Sequence, residues 1–431
     1  MKLLLRGASA YSPMDGLDGE TVDVLLDRGR IAEVGPRLSA DGAKELDLSG
    51  LVLMPGLIDA HVHLRQPGRE DEETIATGTA AAVAGGFTSV LCMPNTEPAL
   101  DNQGTVSYVV EVARREGNCR VFPVGAISVG RRGERLAEMG ELVSCGCVAV
   151  TDDGNPVEDS ALMRSAMEYS GAFGIPVVSH CEDMHLSAGG TMREGYYSTA
   201  LGLSGIPDVA ETAMALRDIV LADYTGARLH ICHVSTARTV DIIREAKARG
   251  VPLTSETAPH YLVLTDADVV GYDPNTRVNP PLGTDKDRAA LRYAVADGTI
   301  DIIATDHAPH ASTEKEVEYD QAATGMIGLE TSVGLVLSEL VAGGTLSLGR
   351  MAELMSAGPA RTFGLDGLGR IRQGAKADLT AIDQQRTWTV EPARMRSKSR
   401  NTPFAGRRLQ GAVVLTIVNG RAAHDPLGML G

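Results

Sequence analysis

Pro55-Gly56-Leu57-Ile58-Asp59-Ala60-His61-Val62-His63 is the stretch on which the fold turns. Proline and glycine punctuate its start, and Leu57 to Val62 is a run of strand length that closes on His61-Val62-His63. Side chains alternate faces along a strand, so both imidazoles should point the same way at its C-terminal end. Outward from this run, seven more strand-like runs follow: Thr88 to Met93, Arg120 to Ala126, Cys147 to Thr151, Pro176 to Ser179, Arg228 to Cys232, Pro252 to Thr257 and Asp301 to Thr305. Amphipathic helical stretches fill gaps such as Glu72 to Ala84, Glu211 to Ala222, Ala237 to Arg249 and Leu329 to Leu340. Strands alternating with helices build parallel βα units. Eight of them favour a closed (β/α)8 barrel over an open doubly wound sheet, which would also carry a Gly-rich phosphate turn near its start.

The two ends of the chain read differently. Lys2 to Tyr11, Val22 to Leu26 and Ile31 to Val34 form a strand and hairpin pattern. Asp378 to Ile382 and Ala412 to Val418, with the turn Asn419-Gly420 before Arg421, form another. The expected fold class is therefore α/β: a TIM-like barrel over 55–365 with a small β-sandwich domain built from both chain ends, 1–54 and 366–431.

Composition narrows the class of function. Hydrophobic residues at 43% and charged residues at 22% suit a soluble globular protein, with no run long enough to span a membrane. A net charge of −16 argues against nucleic acid as a partner, so an anionic substrate would need local positive charge from metal ions or a buried arginine. Met1-Lys2-Leu3-Leu4-Leu5-Arg6 loses its apolar character too early for a signal peptide and reads as a first strand. Six cysteines without a Cys-x-x-Cys pair point to reduced thiols in a cytoplasm.

A lone His-x-His is weak evidence for a metal site, but its companions fall at the ends of other strands. Asp153 follows the fourth run, His180 the fifth, His233 the sixth and Asp306 the eighth. Four imidazoles and two carboxylates on one rim suit a pair of divalent ions, with zinc the natural occupant. Alternation assigns Cys181, Cys232 and His230 to the opposite faces of their strands. His185, His260 and His307 take structural or supporting roles, and His424 a surface position.

Pro55 to Arg65, together with Ala304-Thr305-Asp306-His307-Ala308-Pro309-His310, resembles the class I bacterial dihydroorotases of the amidohydrolase superfamily, and the resemblance covers the whole chain. Cys92-Met93-Pro94-Asn95-Thr96, Arg277-Val278-Asn279-Pro280-Pro281-Leu282 and Gly374 to Leu379 fit the same pattern. The resemblance implies that His61, His63 and Asp306 hold one zinc and His180 and His233 the other, with Asp153 and a hydroxide or water as bridges. Asp152 is the alternative bridge. Many relatives bridge through a carboxylated lysine from the fourth strand, but no lysine lies between Lys44 and Lys247.

The same resemblance implies Asp306 as the proton carrier. It also implies substrate contacts from His63, Arg65, Asn95, Asn279, His310 and the Thr324-Gly325 backbone, with Ala311 to Met326 as a mobile lid. The small anionic substrate would be N-carbamoyl-L-aspartate or L-dihydroorotate. Hydrolysis of another cyclic ureide, such as a hydantoin or allantoin, and a non-catalytic partner of aspartate transcarbamoylase are the alternatives. A homodimer is the default assembly, and a transcarbamoylase could also associate with a catalytic chain.

Overall fold

The computed structural model describes residues 2–430. The eight runs line up as the wall of a closed barrel. Parallel pairing joins Leu57–Val62 to Phe87–Cys92, and Phe87–Cys92 to Arg120–Pro123. Gly125 then bridges Val150, and Val150 bridges Val177. Val177–Ser179, Leu229–Ile231, Leu253–Thr257 and Ile302–Ile303 follow, each parallel to its neighbour. A bridge from Val62 to His307 closes the ring between the first and last strands. The fourth run is shorter than its expected span. Gly146, at φ +105°, turns the chain just before it, and the Asp152-Asp153-Gly154 turn ends it.

Seven of the strand segments send an apolar side chain to the barrel interior: Ile58, Leu91, Val124, Ala149, Val178, Cys232 and Ile302 pack together there. From Leu253–Thr257 comes instead Glu256, only 1% exposed. The outward faces of the strands, among them Leu57, Val177, Leu229 and Ile303, pack against Ile75, Val106, Met163, Ile219, Ile243 and Leu291 of the surrounding helices. Those helices are Ile75–Ala84, Gln103–Glu116, Ser160–Gly171, Val209–Thr225, Ala237–Ala248 and Asp285–Asp297. Thr74, Asn102, Asp159, Thr236 and Thr284 stop the preceding loops by accepting first-turn amide protons, which fixes where five of these six helices begin; Val209–Thr225 starts without such a cap. The last expected helix is realised as Ser332–Leu335 running into a wider turn over Val336–Val341.

Both chain ends enter one eight-stranded sheet. Its main path runs from Arg421–His424 through Arg408–Val418, Leu379–Thr389, Val52–Pro55, Leu3–Ser12 and Leu17–Asp27 to Arg30–Gly35, with Lys44–Asp47 alongside Leu3–Ser12. The N- and C-terminal parts meet where Val52–Pro55 pairs antiparallel with Leu379–Ile382. Leu3, Leu5, Val24, Leu26 and Ile31 share one core with Leu379, Ala381, Leu415 and Ile417, so the sheet folds over itself in the manner of a sandwich.

Packing is close at the end of Ile75–Ala84, where a Cβ on Gly85 would stand 2.1 Å from the backbone oxygen of Leu329. Backbone cannot yield as a side-chain tip can, so Gly85→Ala is expected to destabilise the protein by about 1–3 kcal/mol. Urea unfolding followed by circular dichroism checks this, with the folded spectrum itself unchanged.

Candidate metal centre and active site

The C-terminal ends of the strands bring His61, His63, Asp153, His180, His233 and Asp306 into one buried cluster. Asp153 stands in the middle. Its Oδ2 lies 3.4 Å from His61 Nε2 and 3.7 Å from His63 Nε2, while its Oδ1 lies 3.5 Å from both His180 Nδ1 and His233 Nε2. Each carboxylate oxygen therefore faces a different pair of imidazoles. Asp306 Oδ1 joins the first pair, at 3.3 Å from His63 Nε2 and 3.7 Å from His61 Nε2. His180 Nδ1 and His233 Nε2 close the second pair at 2.9 Å. Asp152 points elsewhere: its carboxylate accepts from the amide and hydroxyl of Ser128.

Three of the four rings are oriented from behind. His61 Nδ1–H donates to Glu256 Oε1 at 2.8 Å, His63 Nδ1–H to Asn95 Oδ1 at 2.8 Å, and His180 Nε2–H to Glu182 Oε2 at 3.1 Å. Donation on that side leaves the opposite nitrogen as a lone pair aimed at the aspartates. His61 Nε2 and Asp153 Oδ1 are both buried without a hydrogen-bond partner. Lone pairs facing lone pairs in a buried cluster repel unless a cation or a proton lies between them, and nitrogen and oxygen donors of this kind suit a divalent cation. Ligand atoms from His61, His63 and Asp306 all fall within 4.8 Å of one another, as do those from His61, Asp153, Cys232 and His233. The cluster thus fits metal binding.

Electrostatics follow the same arrangement. Burial would raise the Asp153 carboxyl, but His61, His180 and His233 hold it well below the ordinary range. Glu256 and Glu182 are each brought to about 2, burial being outweighed by His230 and His61 in the first case and by His180 in the second. His260 receives no such partner, and burial lowers it to about 4.

Two assignments from strand alternation are corrected. His230 and Cys232 lie on the interior side of their strand: His230 Nε2 is 3.2 Å from Glu256 Oε2, and Cys232 packs in the barrel core beside the cluster. Alternation fails because His233 takes φ +31°, which turns it inward although its neighbour Cys232 already faces that way. The pairing register also breaks between Asp59 and Val62, just before His61 and His63 reach the mouth. His424 is half-buried, His185 is exposed, and His307 is held by Glu73 at 3.3 Å.

Arg65, Asn95, Asn279, His310, Thr324 and Gly325 line a pocket of about 200 Å³ together with His63 and the metal-ligand candidates. Arg65 Nε is 3.0 Å from Glu72 Oε2 and donates to the Pro309 carbonyl at 3.1 Å, while Nη2 lies 3.3 Å from His310 Nε2. The same Glu72 carboxylate receives His310 Nδ1 at 2.8 Å and Arg69 at 3.2 Å. Asn279 donates to Glu182 Oε2 at 2.8 Å, and Arg131 donates to the Asp153 carbonyl at 2.6 Å. Residues 311–326 are tied down. Lys315 donates to the carbonyls of Pro274, Arg277 and Ala323, while Arg277 reaches those of Tyr319 and Ala322.

Glu72, Glu182, Glu256 and Arg131 were not singled out by sequence reasoning. Only Glu256 carried a signal, a carboxylate inside one of the eight runs read as barrel strands.

A closed barrel with such a donor cluster at its strand ends defines a hydrolase of the amidohydrolase fold. The chain is 54% identical over 421 residues to a protein named dihydroorotase from Pelotomaculum thermopropionicum, covering 98% of each. To a dihydroorotase from Trichlorobacter lovleyi it is 52% identical over 422 residues, covering 98% of this chain and 99% of the relative. The family model described as Dihydro-orotase-like matches residues 50–239. Among solved structures, an L-hydantoinase (dihydropyrimidinase) from Arthrobacter aurescens superposes with a TM-score of 0.89 at 25% identity, covering 98% of this chain and 96% of that one. The chain belongs to the dihydroorotase family and is a cyclic amide hydrolase.

Among the described residues, Glu256 is the group that holds His61 Nδ1 and so fixes its tautomer. Glu256→Gln should weaken retention of a bound divalent cation by about 10–100-fold, measured by competition with a chromogenic chelator. Unchanged retention would show that the His61 ring is held by other means.

Proposed function

We propose that the protein interconverts N-carbamoyl-L-aspartate and L-dihydroorotate, a step of pyrimidine synthesis, with two zinc ions held by the cluster. His61, His63 and Asp306 would hold one ion, His180 and His233 the other, and Asp153 both. The observation that carries this is the division of Asp153, one oxygen toward each imidazole pair. Such ions supply a water of lowered pKa and polarise the scissile carbonyl. With no lysine between Lys44 and Lys247, a carboxylated-lysine bridge has no source here, which counts against a close hydantoinase analogue.

In the hydrolytic direction, water adds to the ring carbonyl carbon and the ring carbon–nitrogen bond breaks. Asp306 engages His63 through Oδ1, so Oδ2 is the atom to take the water's proton and pass it to the departing nitrogen. Cyclisation runs the same transfers backwards. Specificity comes from the substrate carboxylate, met by the Arg65 guanidinium, by His310, and by Asn95 Nδ2, since Asn95 Oδ1 is already used by His63. Asn279, its Nδ2 held by Glu182, turns Oδ1 to the ring N–H groups. The Thr324-Gly325 backbone borders the same pocket. Residues 55–365 would carry this chemistry, with 1–54 and 366–431 as the supporting domain. Six free cysteines support a cytoplasmic setting.

Two substitutions test the division of labour. Arg65→Ala is expected to lower kcat/KM by roughly 100-fold or more while the bound metal, measured by atomic emission, is unchanged. Metal loss in that variant would refute the proposed roles. Glu72→Gln should raise KM by about tenfold with kcat nearly constant, because it loosens Arg65 and His310 without touching the reacting atoms.

A further inference from the structure

On the N-terminal side of the barrel strands, opposite the strand ends that hold the cluster, lies an open cleft of about 1140 Å³ lined by Arg28, Arg30, Arg114, Arg120, Lys376 and Arg421. Among the described residues no carboxylate lines it, although the chain as a whole carries a net charge of −16. The six cations come from distant parts of the sequence: the hairpin turn after Leu17–Asp27, the last turn of Gln103–Glu116, the start of Arg120–Pro123, the loop before Leu379–Thr389, and the last strand.

Two of these cations are neutralised at short range. Arg120 pairs with Asp378 at 2.8 Å, and Arg114 with Glu111 at 2.7 Å. Arg30 donates to the carbonyl of Gly374, and Arg28 reaches Asp27 only at 3.9 Å. For Lys376 and Arg421 no ion pair is formed among the described residues. Lys376 is held below the usual lysine range by burial and by the neighbouring charges of Arg120 and Arg30, which outweigh the opposing pull of Asp378 and Asp366. Such crowding of like charge is costly unless an anion relieves it.

The floor of the cleft is built from two tight turns set tip to tip. Arg28-Gly29 and Asn419-Gly420 both have positive φ throughout, and a Cβ on Gly420 would stand 3.2 Å from Gly29 Cα. Asn419 suits its left-handed conformation. Arg28, at φ +50°, sits where asparagine or glycine would be the relaxed choice, and its side chain is 91% exposed over the cleft rim. Holding an arginine there against its backbone preference fits a position kept for its charge.

We propose that this cleft is a binding site for a phosphate-chain anion, separate from the catalytic pocket. Arg28, Arg30, Lys376 and Arg421 would supply the charge, and the two turns the platform. The test uses metal-loaded, full-length protein and titrates inorganic triphosphate by calorimetry at physiological salt. It compares wild type with Arg28→Asn/Arg421→Gln. Both replaced side chains are exposed, and asparagine relaxes the turn, so the variant should fold and turn over substrate as the wild type does.

Saturable binding in the wild type, weakened at least about tenfold in the variant, supports the site. Equal binding in both proteins would overturn it, since the affinity would then belong to the metal centre or to non-specific attraction. No binding at all would overturn it as well. So would binding of an oligoglutamate peptide in place of triphosphate, which would reassign the cleft to an acidic protein segment.

Discussion

Electron pairs directed at one another within a buried cluster set the terms for this structure. Around Asp153, nitrogen and oxygen donors converge from five strand ends, and several have no proton to share. The arrangement is tolerable only with positive charge among the donors. Much of the surrounding architecture follows from holding it in place. Glu256, Glu182 and Asn95 each take the outward N–H of one imidazole, so that the inward nitrogen is fixed as a ligand. Beneath the apolar layer of the barrel interior, His230 and Glu256 pass this restraint one layer down, with Thr254 Oγ1 2.9 Å from His230 Nδ1.

The pocket above the cluster depends on a second carboxylate used in a similar way. Glu72, almost wholly buried, joins Arg65, Arg69 and His310, and so turns two separate side chains into one rigid wall. Within residues 311–326, which the sequence suggested as a mobile lid, Lys315 donates to the carbonyls of Pro274 and Arg277 in the neighbouring loop, and Arg277 donates back to those of Tyr319 and Ala322. Thr324 and Gly325 border the pocket on that fixed support.

How far the sequence revealed this varied with the kind of signal. The barrel was legible because eight strand-length runs separated by helical periodicity have few other solutions. The six ligand candidates were legible because each follows a strand, and strand ends are where such a fold gathers side chains. His230 and Cys232 were misplaced because the rule of alternation holds within a regular strand and fails where the strand ends. At that point a positive φ at His233 and a register break before His61 re-aim the chain. The supporting carboxylates were illegible for another reason. A solitary glutamate such as Glu72 or Glu182 looks the same in sequence whether it faces water or a buried arginine, and only three-dimensional proximity separates the two.

The ring closes by a bridge between Val62 and His307, one residue away from ligand candidates on both sides of the seam. His61 and His63 come from the first strand to be made and Asp306 from the last, so this half of the cluster does not exist until nearly the whole barrel has been assembled. Occupancy by a cation would therefore register completed folding, and would draw the two margins of the barrel together at the place where a ring of parallel strands has no covalent link to keep it shut.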